Sequence, residues 1–191
     1  MNFSENEYYD ETFKNIDVSH TTLNDIEFDN CSFINCIFNS TILDSCRFME
    51  CSFEECDLSL MKINGSYFSD LVVKNSKAIG IDYSSLSSHT QLKFYDSNIS
   101  MSSFFQVDLK HSEFIRCNVN EVDFEQSDLE KTNFKESDLL NATFGNTNLK
   151  NADLSMAIKY LIDPEKNRLK GMKVSLPQAE SFLQFLDIKI V

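Results

Sequence analysis

From Phe13 the chain returns an apolar residue to every fifth position: Phe13, Val18, Leu23, Phe28, Phe33, Phe38 and onward without a failure to Tyr83. A second run, one residue out of phase, starts at Phe94 and passes through Ile99, Phe104, Leu109, Phe114 and Val119 to Leu154. A helix repeats near 3.6 residues and a strand at 2, so neither keeps a five-residue spacing on one face. The spacing predicts a chain that turns at every pentad and points the centre of each pentad inward.

A second column lies two residues before each centre. It holds small or modest groups: Cys31, Cys36, Thr41, Cys46, Cys51 and Cys56, then Ser112, Cys117, Val122, Ser127, Thr132 and Ser137. Asp or Asn often precedes the centre, as in Asp108, Asn118, Asp123 and Asp128. Such side chains bond backbone groups at turns. Like residues also recur at twenty, for example Phe94, Phe114, Phe134 and Leu154. Four pentads therefore make one turn, and about seven stacked turns give a rod of about 35 Å.

The triplets Ala152-Asp153-Leu154, Ser127-Asp128-Leu129, Ser137-Asp138-Leu139 and Thr147-Asn148-Leu149 resemble the A(D/N)LXX motif of the pentapeptide-repeat family. The resemblance covers residues 11–156, with Phe favoured at the centre and Cys, Ser or Thr where the motif has Ala. It implies an all-β fold, a right-handed quadrilateral β-helix. The tail from Leu169 to Ile190 is similar to the C-terminal segment of Qnr-type quinolone-resistance proteins and of uncharacterised relatives. In those proteins the segment commonly forms a dimer contact. Carried over, it implies a homodimer contact at Phe182, Phe185, Leu186, Ile188 and Ile190.

Three segments are expected. Residues 1–10 read as an N-terminal extension, 11–156 as the coil, and 157–191 as connector, capping helix and tail. The phase slip falls within 84–93, a Ser-rich stretch that suggests a bulge. Its tip, Ser87, Ser88 and His89, is a candidate loop contact, because loops on rigid scaffolds often carry function. Ser175 and Gln178 read as a capping box for a short helix from about Leu176 to Leu186.

Charge narrows the function. Thirty acids against 17 bases give a net charge of −13, and residues 1–57 alone hold 13 acids and 2 bases. A direct nucleic-acid binder needs a basic footprint, so that class is excluded. The acidic start lacks a signal-peptide pattern, and no apolar run is long enough to span a membrane, so a cytoplasmic protein is expected. The cysteines sit five or more apart in the small inward column, which reads as core packing rather than a metal site. The histidines, His20, His89 and His111, are scattered, and no nucleophile, base or cofactor set converges.

The chemistry that remains is a surface. Outward acids at Glu50, Asp70, Asp108, Asp128, Glu121 and Glu125 form the candidate partner-facing set. Resemblance to the Qnr-type proteins implies a DNA mimic that binds DNA gyrase or topoisomerase IV. The alternative is a protein-interaction scaffold with no link to DNA.

Overall fold

Tyr8, Phe28, Phe48 and Phe68 stand in register on four parallel strands, Glu7–Tyr9, Glu27–Asp29, Arg47–Met49 and Tyr67–Ser69. They form the first of four sides. The structure, a computed structural model, describes residues 3–86 and 90–186, except for the side chain of Leu186. It is a parallel β-solenoid of about eight turns with one short helix. The second side carries strands Thr12–Lys14, Ser32–Ile34, Ser52–Glu54, Leu71–Lys74, Leu92–Tyr95 and Glu113–Ile115. The third is a row of single bridges from Asp17 through Ile37 and Asp57 to Ile158. The fourth begins with Thr22–Asn24, Ile42–Asp44 and Lys62–Asn64. It resumes with Asp82, Ser103, Asp123 and Thr143.

The pentad explains each contact. Centre residues fill the interior, and their rings stack one turn above the next: Phe28 on Phe48 at 4.8 Å, Phe33 on Phe53 at 4.7 Å, Phe104 on Phe124 at 5.5 Å. The small inward column laces the turns together. Thr132 Oγ1 donates to Leu109 O at 2.8 Å, Ser137 Oγ to Phe114 O at 2.6 Å, and Thr147 Oγ1 to Phe124 O at 2.9 Å. Cys51 and Cys117 reach the matching carbonyls of Phe28 and Phe94, each at 3.4 Å. A buried donor is thus satisfied inside the rod. The Asp or Asn before each centre accepts the N–H two residues on, as Asp123 does from Glu125 at 2.8 Å.

Two residues after each centre the backbone enters the left-handed region, with φ of 56° at Asp10, 55° at Asn15 and 52° at Asp25. This corner favours Gly, Asn and Asp. His20 and His111 occupy such corners, as expected. Leu60, Met101 and Met156 also do, at φ of 59°, 60° and 62°, with their side chains in solvent.

The slip is confirmed. Strand Leu71–Lys74 pairs with Leu92–Tyr95 at an offset of 21, so Val73 faces Phe94, whereas Phe94 faces Phe114 at 20. Ser87, Ser88 and His89 lie outside the described residues.

Both ends of the coil need correction. The ladder starts within the expected extension, because Tyr8 is buried and paired with Phe28. Phe3, two pentads before Phe13, caps the mouth with its ring against Tyr8, Phe13, Phe28 and Phe33. At the other end the ladder continues past residue 156. Ile158 bridges Asp138, Arg168 bridges Asn148, and Lys173–Val174 pairs with Asp153–Leu154. The pentad pattern was lost there because Lys159 and Pro164 occupy centre positions. Lys159 turns outward to Asp138, and Tyr160 and Ile162 fill the interior instead. Asn167 takes the small inward position: its Oδ1 accepts the Thr147 N–H and its Nδ2 donates to Phe144 O, both at 2.9 Å.

The cap is a 3-10 helix, Gln178–Leu186. The expected capping box does not form. Ser175 Oγ accepts the Met156 N–H at 3.0 Å, while the Ser175 carbonyl accepts the Ala179 N–H at 3.1 Å.

Candidate partner-binding surface

The six acids singled out in the sequence do not share a face. Glu50 and Asp70 sit at the corner between the first and second sides, in a column with Asp10 and Asn30. Asp108 and Asp128 lie on the first side, bridged to each other. Glu121 occupies the corner between the third and fourth sides, diagonally opposite Glu50, and Glu125 follows on the fourth side.

Their electrostatics differ as well. Lys110 Nζ reaches Asp108 at 3.0 Å and Asp128 at 3.1 Å, so that pair of carboxylates is compensated. The same arrangement recurs down the later turns: Arg116 with Asp96, Lys150 with Glu130, Lys159 with Asp138 and Lys173 with Asp153. The hydrogen bonds from Arg116 and from Lys150 hold the carboxyls of Asp96 and Glu130 below their usual values. In the first turns the acids seldom form ion pairs, although Lys74 stands in register with Glu54 and Lys77 with Asp57. Among the described residues, Glu27 with Arg47, at 3.6 Å, is the only ion pair N-terminal to Asp96. Sequence reading found the charge gradient but not this pairing, which depends on which outward positions meet one turn apart.

The cysteines are core. All six are buried and free, and burial pushes the thiols of Cys51 and Cys117 up to about 12. Such thiols are inert rather than nucleophilic. No group of three or more His, Cys, Asp or Glu among the described residues is placed to hold a metal ion. No described helix is long and apolar enough to cross a membrane.

The residues expected to mediate dimer contact divide. Phe182 is half-buried against the last turn, 6.1 Å from the Tyr160 ring, and Phe185 is also half-buried. The Leu186 side chain, Ile188 and Ile190 lie outside the described residues. The structure exposes a different apolar set nearby: Met156, Ile158, Leu161, Val174 and, at 82% exposure, Leu176.

Two family patterns match the repeats, one described as pentapeptide repeats over residues 13–48 and one as a pentapeptide repeat region over 87–154. The chain belongs to the pentapeptide-repeat family. Among solved structures it resembles a trypsin-treated variant of QnrB1, a plasmid-mediated fluoroquinolone resistance protein. The TM-score is 0.75 and the identity 18%, over 97% of this chain and 91% of that one. A second trypsin-treated variant of QnrB1 gives a TM-score of 0.52 at 19% identity, over 94% of this chain and 100% of that one. At such identities the likeness establishes the pentapeptide-repeat fold alone. Among curated proteins none matches the chain in sequence.

Proposed function

We propose that this pentapeptide-repeat solenoid is a non-enzymatic binding protein whose acidic first turns dock on a basic protein surface. The basic surface of a DNA-handling enzyme, such as gyrase or topoisomerase IV, is the partner class. One observation carries the reading. Apart from Glu27 with Arg47, the described carboxylates of the first turns, Glu50 and Asp70 among them, stand outside ion pairs, whereas more than half of those in the later turns are paired. A rod with unpaired negative charge along its length offers the sign and shape that a DNA-binding groove accepts. The resemblance to QnrB1 is consistent with this partner class at the level of fold.

The test is direct binding of the purified protein to gyrase and to topoisomerase IV at low salt. Binding should weaken as salt rises, and Glu50→Lys with Asp70→Lys should weaken it at least tenfold. No association at low salt would overturn the reading. The scattering of the six sequence-selected acids over opposite corners favours the second reading, a scaffold for partners outside DNA metabolism. Capture of such partners with the acid reversals silent would select it.

The exposed apolar set around Leu176 and Met156 supports self-association through the C-terminal turn. Sedimentation of Leu176→Glu against the unaltered protein tests it: a dimer that survives the substitution would remove this surface from consideration.

A further inference from the structure

Asn64-Gly65 is the only Asn-Gly pair in the chain, and the fold sets it at the corner between the fourth and first sides. Asn64 ends strand Lys62–Asn64 with its side chain exposed and, among the described residues, without a hydrogen bond. Elsewhere in the first turns outward amides are held: Asn30 Nδ2 donates to Asp10 and Asn35 Nδ2 to Asn15, each at 2.6 Å.

The backbone nitrogen that follows Asn64 is free as well. In this column of corners the N–H bonds a carbonyl one turn on: Asp25 to Asp44 O at 3.0 Å, Ser45 to Asn64 O at 2.9 Å, Gln106 to Glu125 O at 3.1 Å and Gln126 to Gly145 O at 2.7 Å. The Gly65 N–H makes no such bond among the described residues, at the interval where the fourth side lacks pairing between Lys62–Asn64 and Asp82. Gly65, at φ of 58°, has no side chain to crowd its nitrogen. The Asn64 carbonyl accepts the Ser45 N–H at 2.9 Å and the Ser66 hydroxyl at 3.4 Å. When the Gly65 nitrogen loses its proton, negative charge spreads onto that oxygen, so both donors stabilise the anion.

We propose that Asn64 is a site of self-modification, at which the folded protein converts an amide into a carboxylate. The deprotonated Gly65 nitrogen attacks Asn64 Cγ. The new N–Cγ bond closes a succinimide ring, the Cγ–Nδ2 bond breaks, and ammonia leaves with a proton taken from solvent. Water then opens the ring. Attack at the side-chain carbonyl gives aspartate, and attack at the main-chain carbonyl gives isoaspartate. One water is consumed and one ammonia released, with no oxidant or cofactor. The new carboxylate stands in register with Asp44, one turn away in the column of Asn24, Asp44 and Asn64. It adds negative charge to turns whose acids seldom form ion pairs. The conversion does not depend on which partner those turns meet.

Two Asn-Ser pairs in the same coil serve as internal references, because their following N–H groups are bonded. Ser40 N–H donates to Ser59 O at 2.9 Å, and Ser76 N–H to Ser97 Oγ at 3.1 Å. The experiment ages the folded protein at mildly alkaline pH in heavy-oxygen water and maps its peptides by mass spectrometry. Asn64 should convert about tenfold faster than Asn39 or Asn75, since a bonded N–H must open before it can react. The product should carry one heavy oxygen and contain isoaspartate beside aspartate. Gly65→Asp, a residue that Asp10, Asp25 and Asp70 show to fit such corners, should slow the conversion about tenfold while the coil stays folded. Asn64→Gln, one methylene longer, should abolish it. Equal rates at the three asparagines would overturn the proposal. So would aspartate without isoaspartate, which marks direct hydrolysis. An Asn64 that keeps its amide in the folded protein but loses it in denaturant would overturn it too, by showing that the strand holds Cγ away from the Gly65 nitrogen.

Discussion

Tyr83 and Phe104 stack with ring planes 1° apart and centroids 4.5 Å apart, although 21 residues separate them instead of 20. The extra residue leaves the stacking intact: the interior holds an unbroken column from Tyr83 through Phe104 and Phe124 to Phe144. Stability should therefore depend on the centre positions and scarcely on their outward neighbours.

Phe124 tests that dependence. Its ring is fully buried and lies against Phe104, Phe114, Phe134 and Phe144. Phe124→Ala should cost about 3–5 kcal/mol, and Phe124→Asp more, since it adds an unpaired buried charge. Glu125→Ala, one residue away and exposed, should stay within about 0.5 kcal/mol. Denaturant unfolding of the three variants measures the contrast, and a silent Phe124→Ala would contradict the inward assignment.

The corners give a prediction of opposite sign. Met101 has a φ of 60° and is 63% exposed, so it carries left-handed strain with little burial in return. Met101→Asn should raise stability by about 1 kcal/mol, because Asn adopts this conformation more readily. Asn15→Ala, at φ of 55°, should lower it. Paired thermal melts of the two variants read both signs in one experiment.

The coil was legible because its signal is local and repeated. One apolar centre per five residues fixes which side chains point inward, and steps of twenty fix which ones stack. The ends were not legible for the same reason. Tyr8 and Phe3 fall on the five-residue spacing, but they lie within residues 1–10, whose polar and acidic character reads as an extension. Lys159 and Pro164 occupy centre positions, yet the chain bypasses them through Tyr160, Ile162 and Asn167 while the ladder holds. The acidic surface was half legible. Composition along the chain located the charge, but pairing such as Lys110 with Asp128 depends on side-chain length and on the turn below. The interval in the fourth side between Lys62–Asn64 and Asp82 left no mark in the pattern, because Ile63 and Tyr83 are both good centre residues.

Acid should expose the paired later turns. Asp96 accepts two bonds from Arg116, at 2.6 and 2.7 Å, and these together with the positive charge hold its carboxyl below the usual value. A carboxyl whose folded pKa is depressed adds stability that is present above its unfolded value of about 3.9 and lost as pH falls through the folded value. The melting temperature of Asp96→Asn should therefore lie below the parent's near neutrality, and the two should converge below about pH 3. A gap that stays constant down to that pH would mean the pair contributes through packing rather than charge.

Asn167 should decide whether the last turn stays closed. Its amide does what a Ser or Thr hydroxyl does elsewhere in the inward column, and more: Oδ1 takes the Thr147 N–H, while Nδ2 serves the carbonyls of both Phe144 and Asp163. Asn167→Ala would strand the Thr147 N–H and the Phe144 carbonyl at the end of the core, and a buried unsatisfied group costs about 1–3 kcal/mol. The loss should be local at first. The Thr147 amide should exchange faster by tenfold or more, while that of Thr132, three pentads inward and bonded to Leu129 O at 3.0 Å, should keep its rate. Uniform acceleration across both amides would show instead that the terminal turn and the coil open as one unit. Asn167 would then hold the whole rod rather than its end.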